Sequence, residues 1–208
     1  MTAQRTYLLH PVAPWAEIVP NAPCPMTVED LIHWPNGDGY KYELVEGVLV
    51  RMAGSGDEAT TIGAVLLVAL GSFVFTKRLG IVTGADGVYK FPGAETGLLP
   101  DVGFYIAKKR ALILDRSKPI PFAPDLAVEV ASPDQKADEM AAKARTYLDG
   151  GTRLVWIVWP QNQCVDVWRA GRTVGPATTL TMSDMLDGEN VVPGFTYSVA
   201  QALTDPLV

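Results

Sequence analysis

A long apolar stretch, Ile62 to Phe75, is the feature that most restricts how this chain can fold. The stretch is shorter than the roughly 20 residues that cross a bilayer. Charged residues flank it on both sides, namely Asp57, Glu58, Lys77 and Arg78. Apolar residues recur within it at helical spacing, which predicts one buried helix over residues 57–78. The chain is therefore expected to build a globular core around that helix.

The composition indicates one globular domain. With 208 residues, of which 48% are hydrophobic, the chain can bury a large continuous core. Residues 1–26 are rich in proline and aperiodic, so we expect an N-terminal arm that lies on the domain or reaches a partner subunit. A single domain is expected over residues 27–208. The N-terminus lacks the basic and apolar regions of a secretory signal, which favours a cytoplasmic location.

Charge, cysteine content and motifs exclude several classes of protein. The net charge of -6 argues against generic nucleic-acid binding, because contacts to phosphates come from lysine and arginine. Any such binding must use a local basic surface. The two cysteines, Cys24 and Cys164, form no CxxC pair, so neither a disulfide framework nor a thiolate zinc site is expected. The chain also lacks a glycine-rich phosphate loop, an HExxH motif and a G-x-S-x-G nucleophile elbow.

Periodicity and turn residues predict a mixture of strands and helices. Thr27, followed by Asp30, is typical of a helix N-terminus, and Pro35 and Gly37 are expected to end that short helix. The apolar runs predict strands at residues 42–45, 48–52, 81–83, 88–91, 102–106, 126–130, 154–159 and 165–168. The first two should form a hairpin, and the four between residues 81 and 130 should pair into one sheet. The remainder, after residue 168, is expected to be rich in loops.

A second long helix is predicted between two of these strands. Ser132-Pro133-Asp134-Gln135 combines an N-cap serine, a proline at the first helical position and a capping-box glutamine. Gly150-Gly151 is expected to close the helix.

Three acidic residues, Glu43, Asp101 and Glu129, lie in or beside apolar β-type segments. A period of two places Glu129 on one face of its strand with small residues, while the apolar residues point to the other face. This arrangement leaves a recess beside the Glu129 carboxylate that a hydrated divalent cation can fill, with Asp101 as a second ligand. The alternative is that these carboxylates cap helices or pair with lysine or arginine at the edge of the sheet.

The order of five segments resembles a known family. YELVEG, LLPDVGF, PDLAVEVASP, AKARTYLDGG and LVWIVWP follow one another across residues 42–160. Together they are similar to the bacterial restriction-endonuclease family within the PD-(D/E)XK nuclease superfamily. The resemblance implies an α/β, restriction-endonuclease-like fold with a central mixed β-sheet flanked by helices. It also implies a Mg²⁺ site, in which Mn²⁺ can substitute, formed by Asp101, Glu129 and the backbone carbonyl of Val130.

The sequence departs from the superfamily pattern at Ala131, which occupies the usual position of a catalytic lysine. The family resembled here is thought to carry that lysine on the next helix, and Lys143 matches, with Lys136 seven residues earlier. The alternative for Lys143 is a solvated pair with Glu139, worth about 0.3–0.5 kcal/mol. Glu43 matches an early glutamate of the family and could hold a water on the metal, orient Lys143 or complete a second metal site.

The resemblance implies a metal-dependent nuclease that hydrolyses phosphodiester bonds of nucleic acid, with DNA as the expected substrate and a homodimer as the expected assembly. The predicted catalytic residues are Glu43, Asp101, Glu129 and Lys143. Two alternatives stay open: a degenerate nuclease fold used for binding or assembly, and a hydrolase of a smaller phosphoester.

Several other residues receive weaker predictions. The densest basic clusters could contact phosphates or could be solvated charge: Lys77-Arg78, Lys108-Lys109-Arg110, Arg116 and Lys118. Trp156, Trp159 and Trp168 favour a role in the core or at a dimer interface over base stacking. The histidines, His10 and His33, suit surface or packing roles.

Overall fold

Two larger β-sheets, a two-stranded sheet and four α-helices form the part of the chain that the computed structural model describes, residues 13–35, 38–52, 54–172 and 175–207. His10 and Gly37 lie outside these residues, and so do residues 1–12 of the predicted arm. The helices are α1 (Val28–Leu31), α2 (Asp57–Lys77), α3 (Ala137–Asp149) and α4 (Val199–Leu203). The strands are β1 (Glu17–Ile18), β2 (Lys41–Val45), β3 (Val48–Met52), β4 (Gly80–Gly84), β5 (Tyr89–Lys90), β6 (Gly97–Leu98), β7 (Val102–Ile106), β8 (Leu126–Val130), β9 (Leu154–Trp159), β10 (Cys164–Arg169), β11 (Thr178–Thr181), β12 (Met185–Asp187) and β13 (Thr196–Ser198).

A six-stranded sheet, in the order β11-β10-β9-β8-β7-β4, forms the centre of the molecule. β8 and β9 are parallel, and α3 connects them as the crossover of a βαβ unit. The other pairs in this sheet are antiparallel. The sheet is therefore mixed, and its parallel pair places the C-terminal end of β8 beside the helix that follows it.

The two faces of this sheet pack against different elements. On one face, Leu126, Val128 and Val130 of β8 pack against α2, with the small C-terminal sheet and α4 completing the same core. On the other face, Ala127 and Ala131 pack against α3 and against β-strands of the second sheet. The alternation along β8 is the one that its sequence predicts, because successive side chains in a strand point to opposite faces.

A second, five-stranded sheet has the order β1-β3-β2-β6-β5. Its centre is the predicted hairpin of β2 and β3, which turns at Glu46 and Gly47, both with positive φ. Residues 13–26 lie on this sheet, since β1 pairs with β3 and Trp15 and Met26 are buried. The hairpin and the segment before it thus cover the face of the central sheet that carries α3.

Two sequence predictions about these elements are wrong. The four strands between residues 81 and 130 do not share one sheet, because β5 pairs with β6 in the five-stranded sheet. α3 begins at Ala137 rather than after Ser132, since the side chain of Gln135 accepts from the Ser132 backbone and closes a separate turn. The C-terminal region is rich in loops, as the sequence predicts, and β11, β12, β13 and α4 are the short elements within it.

Helix α2 has its predicted bounds but is buried on only one face. Ile62, Leu66 and Leu70 are buried against the central sheet, whereas Val68 is 66% exposed and Phe75 is 53% exposed. Helix α2 has 21 residues, and its most apolar stretch of 18 residues has a mean hydropathy of 2.0, so it has the length and composition of a membrane-crossing helix. Its packing against β4, β7 and β8 is that of a core helix.

Replacing Leu66 by alanine should lower the free energy of unfolding by about 2–5 kcal/mol, because Leu66 is fully buried under the central sheet. Val68→Ala, two residues away on the exposed face of the same helix, should change it by less than about 0.5 kcal/mol. Urea unfolding of both variants measures the difference. Equal losses would contradict the assignment of the buried face.

Candidate active site

The C-terminal end of β8 meets the start of β7, and this junction brings two predicted carboxylates together. The antiparallel register pairs Val102 with Val128, so Asp101 lies beside the Glu129–Val130 end of β8. The Asp101 carboxylate accepts a hydrogen bond of 2.8 Å from the Val130 backbone N–H. Asp101 is thus fixed to β8 by a backbone contact that leaves its second oxygen available.

Helix α3 supplies two donors to Glu129. Lys143 Nζ lies 3.0 Å from Glu129 Oε2, and the Tyr147 hydroxyl donates to Oε1 at 2.6 Å. Lys143 and Tyr147 are four residues apart on one face of α3, and both are buried. The small side chains of Ala127 and Ala131 let this helix approach the strand closely. The recess that the sequence predicts beside Glu129 therefore exists, and α3 fills part of it.

Glu43 holds the same ammonium from the other sheet. Glu43 Oε1 lies 3.2 Å from Lys143 Nζ and accepts a 2.9 Å hydrogen bond from the Leu99 backbone. Its second oxygen accepts from the Trp15 indole N–H at 3.2 Å. With both oxygens engaged, Glu43 positions Lys143 in this structure rather than facing a metal directly. Of the three roles predicted for Glu43, orientation of Lys143 is the one that these contacts favour.

Three carboxylates share one buried ammonium in this cluster. Burial raises the pKa of Glu129 to about 8. The nearby Lys143 ammonium lowers that pKa, whereas the carboxylates of Asp101 and Glu43 raise it further. Burial also raises the pKa of Asp101. Burial alone would lower the pKa of Lys143, but the three carboxylates outweigh it and raise that pKa above its ordinary value. The cluster has surplus negative charge when ionised, and a divalent cation would neutralise it.

A cavity of about 40 Å³ adjoins the cluster, which we call the carboxylate cavity. Its lining residues are Lys41, Glu43, Met52, Ser55, Leu99, Asp101, Glu129, Val130, Ser132, Gln135 and Lys143. One water needs about 10–15 Å³ of such space, so a cation with a few waters has room. In the described part of the chain, no three side chains of Asp, Glu, His or Cys converge as a ligand set. Two carboxylates, a carbonyl and several waters suit Mg²⁺, which gives up its waters reluctantly.

The predicted site residues thus meet around one cavity, whereas other predicted contacts do not. Lys136 lies before α3 with its side chain 75% exposed, away from this cavity. The solvated alternative for Lys143 is wrong, because its side chain is 1% exposed and pairs with Glu43 and Glu129. His33 is exposed, as expected of a surface residue.

The predicted basic clusters do not line the carboxylate cavity. Ala59, near the start of α2, lines a neighbouring cavity together with Asp101. Lys77 follows Ala59 by 18 residues along α2, which corresponds to about 27 Å. Lys109 pairs with Asp125 at the opposite end of β8 from Glu129. None of the clustered lysines or arginines lines the carboxylate cavity, to judge from the described residues. The phosphate contacts predicted for these clusters would have to form at a distance from the site.

The comparisons with known proteins identify the family and the fold. Residues 28–200 match the model of the Uma2 family, which is described as "Putative restriction endonuclease". The chain belongs to this family. No protein with a curated description matches it.

The fold of this Uma2 protein is also found in a solved structure. That structure is described as a putative nuclease belonging to DUF820 from Anabaena variabilis, with a TM-score of 0.70 and 18% sequence identity. The similarity covers 86% of this chain and 98% of that one. The mixed α/β fold is therefore restriction-endonuclease-like, and the fold that the resemblance implied is confirmed.

Two residues of the Uma2 site escaped the sequence analysis. Tyr147 follows Lys143 by four residues, and this helical spacing was a signal that both side chains reach the same carboxylate. Burial and the Glu129 charge raise the pKa of Tyr147, so its hydroxyl keeps its proton and remains a donor. Trp15 lies in the aperiodic arm, where no periodic pattern points to a role. Its contact with Glu43 depends on the fold of β1 against β3.

We expect the metal-free protein to lose stability as pH rises from about 5 to about 9, because Glu129 ionises near 4.5 when unfolded but at about 8 when folded. The folded state then binds more protons than the unfolded state across this range, so the free energy of unfolding falls. Urea unfolding in EDTA measures it. Glu129→Gln keeps an oxygen acceptor but does not titrate, so its free energy of unfolding should fall less steeply with pH. An identical fall in wild type and variant would contradict the raised pKa.

Proposed function

We propose that this Uma2 protein is a metal-dependent nuclease that hydrolyses phosphodiester bonds of nucleic acid, with DNA as the substrate and Mg²⁺ or Mn²⁺ as the cofactor. The observation that carries the proposal is the buried Lys143 ammonium, which two carboxylates hold beside Asp101 at the edge of a solvent-sized cavity. Burying three ionisable side chains together, Glu43, Glu129 and Lys143, is costly for folding, so such a cluster is a candidate for function. The family description supports the same class of reaction.

Asp101, Glu129 and the Val130 carbonyl would hold the cation. When bound, Mg²⁺ would polarise the phosphate and lower the pKa of a water molecule. Lys143 cannot accept a proton, because its raised pKa keeps it charged. Its part is to orient the attacking water and to offset the negative charge that develops on the phosphate.

Glu43 and Tyr147 would hold Lys143 and Glu129 in position without contacting the cation themselves. If Glu129 turns one oxygen toward the cation, Glu43 still holds the ammonium at 3.2 Å. The Tyr147 hydroxyl keeps the other oxygen of Glu129 in place. The site can therefore take up a cation without leaving Lys143 as an unpaired buried charge, which would cost roughly 3–5 kcal/mol.

A homodimer is part of this proposal only through the resemblance to other restriction-endonuclease-like proteins. The exposed apolar residues of α2, Val68 and Phe75, are compatible with an interface.

Calorimetric titration with Mn²⁺ tests the cation site without any choice of substrate. Wild type should bind, and Asp101→Asn and Glu129→Gln should each bind at least about tenfold more weakly, because each loses one charged ligand. The matched control is Asp149→Asn, an exposed carboxylate at the other end of α3 from the cavity. Its affinity should equal that of wild type. Equal binding by all four proteins would refute the cation site.

Lys143→Gln should lower the rate of Mn²⁺-dependent DNA cleavage by about 100-fold or more, since it removes the charge beside the reacting phosphate. The loss of a buried ion pair also destabilises the fold, so circular dichroism and Mn²⁺ binding must show that the variant is folded. Lys136→Gln, which changes an exposed lysine at the start of α3, serves as the control and should cleave normally.

Full cleavage by Lys143→Gln would remove that residue from the mechanism. DNA binding by wild type without any turnover would indicate a degenerate binding module instead. Turnover of nucleotides but not of polynucleotides would indicate a hydrolase of smaller phosphoesters.

A further inference from the structure

A second cavity, of about 370 Å³, adjoins the carboxylate cavity and shares two wall residues with it, Lys41 and Leu99. We call it the aromatic cavity. Its lining residues are Leu31, Ile32, Trp34, Tyr40, Lys41, Tyr42, Asp86, Val88 and Leu99. Its volume is within the range of about 300–1,000 Å³ that is usual for sites that bind small molecules. A molecule that occupies it would lie next to the proposed reaction centre.

The side chains that line the aromatic cavity suit a flat, uncharged group. Three aromatic side chains line it, and most of the other lining residues are aliphatic. Its only charged side chains, among the residues described there, are Asp86 and the shared Lys41. A phosphate would meet the Asp86 carboxylate without an arginine to hold it. An aromatic ring could stack instead, because every nucleobase has a π-face that such side chains accept.

The aromatic residues are held in place by contacts of their own. The Arg51 guanidinium lies 4.7 Å above the Tyr40 ring, and Glu17 holds Arg51 through two hydrogen bonds of 2.9 Å. The Tyr42 hydroxyl donates to Asp38, and the Trp34 and Tyr42 rings meet edge to face at 6.3 Å. Tyr40 is still 41% exposed. The cavity thus presents a fixed aromatic surface to solvent.

Lys41 lies between the two cavities, and no carboxylate of the described residues pairs with its ammonium. Its side chain is exposed and makes no ion pair within 4.0 Å with any residue that the structure describes. It differs in this from Lys143, whose charge two carboxylates neutralise. Lys41 also lines a third cavity, of about 200 Å³, that it shares with Asp101 and the start of α2. It is therefore the cation best placed to contact the backbone of a strand that passes over the site.

We propose that the aromatic cavity binds one unpaired nucleobase of the substrate strand, while Lys41 contacts the phosphate that joins this nucleotide to the one at the carboxylate cavity. The inference rests on the proposed nuclease function and adds a substrate class to it. A paired base inside a duplex cannot enter such a cavity unless it is extruded from the base stack, which requires breaking its pairing and stacking. The site consequently prefers single-stranded nucleic acid, or a duplex with an unpaired or flipped base.

Binding of labelled oligonucleotides in EDTA, followed by fluorescence anisotropy, tests the cavity without any cleavage. Wild type should bind a single-stranded oligonucleotide more tightly than the same sequence as a duplex. Tyr40→Ala should raise the dissociation constant for the single strand by about 5- to 100-fold, since it removes one stacking surface. Tyr40→Phe keeps the ring and should bind like wild type.

Two controls separate stacking from general effects. Phe75→Ala removes an exposed aromatic ring at the distant end of α2 and should not change the affinity. An oligonucleotide of abasic nucleotides should bind wild type and Tyr40→Ala equally weakly, because it offers phosphates but no base. Lys41→Gln should weaken binding of both kinds of strand and reduce the dependence of affinity on salt.

The proposal is overturned if wild type does not bind the single strand, if Tyr40→Ala binds it as tightly as wild type, or if Tyr40→Ala loses affinity for the abasic strand to the same extent. Failure of the nuclease function has a different signature. In that case no cation supports cleavage, yet binding of the single strand still depends on the ring at position 40.

Discussion

The contact on which the site depends is the Lys143 ammonium held between Glu43 and Glu129. A buried ammonium loses its hydration, and only close carboxylates compensate for that loss. The two partners come from different sheets, since Glu43 belongs to the five-stranded sheet and Glu129 to the central one. The helix that carries Lys143 lies in the crossover between the two parallel strands. One cation therefore joins both sheets and α3, and the packing of all three positions the site.

Much of the fold and the site could be predicted because local signals and burial agree. The strand at residues 126–130 has alternating apolar and small residues, and β8 has those bounds with the expected faces. The acidic residues Glu43, Asp101 and Glu129 stood out because charge in a buried strand requires a partner. The resemblance predicts the lysine on α3, but no sequence pattern predicts its burial. Trp156 and Trp168 are in the core and Trp159 is partly buried against it, and the core is one of the two places that the sequence predicts for them.

The errors have a common physical origin, which is that pairing between distant segments leaves little trace in local sequence. β5 is only two residues long, and its choice of sheet depends on β6 and the hairpin. The start of α3 was misplaced because Ser132 and Gln135 satisfy one another in a turn, as they would in a capping box. The apolar pattern of α2 did not distinguish a helix buried all round from one that is apolar on an exposed face as well. No periodic pattern points to Trp34 or Tyr40, because both lie between α1 and β2 rather than within a helix or strand.

The Trp15 indole makes the segment before α1 part of the site, because it donates a hydrogen bond to Glu43. The family match does not include this segment. The match to the family begins at residue 28, and a domain boundary drawn there would discard Trp15 together with β1. Glu43 would then lose one of its two hydrogen-bond donors, keeping the Leu99 N–H and the ion pair with Lys143, and water would gain a path to a carboxylate that is now 1% exposed. Shortening the protein to its recognisable core would thus act on the electrostatics of the site while leaving every acidic residue and the lysine in the sequence. The limits of a family match and the limits of a working site need not coincide.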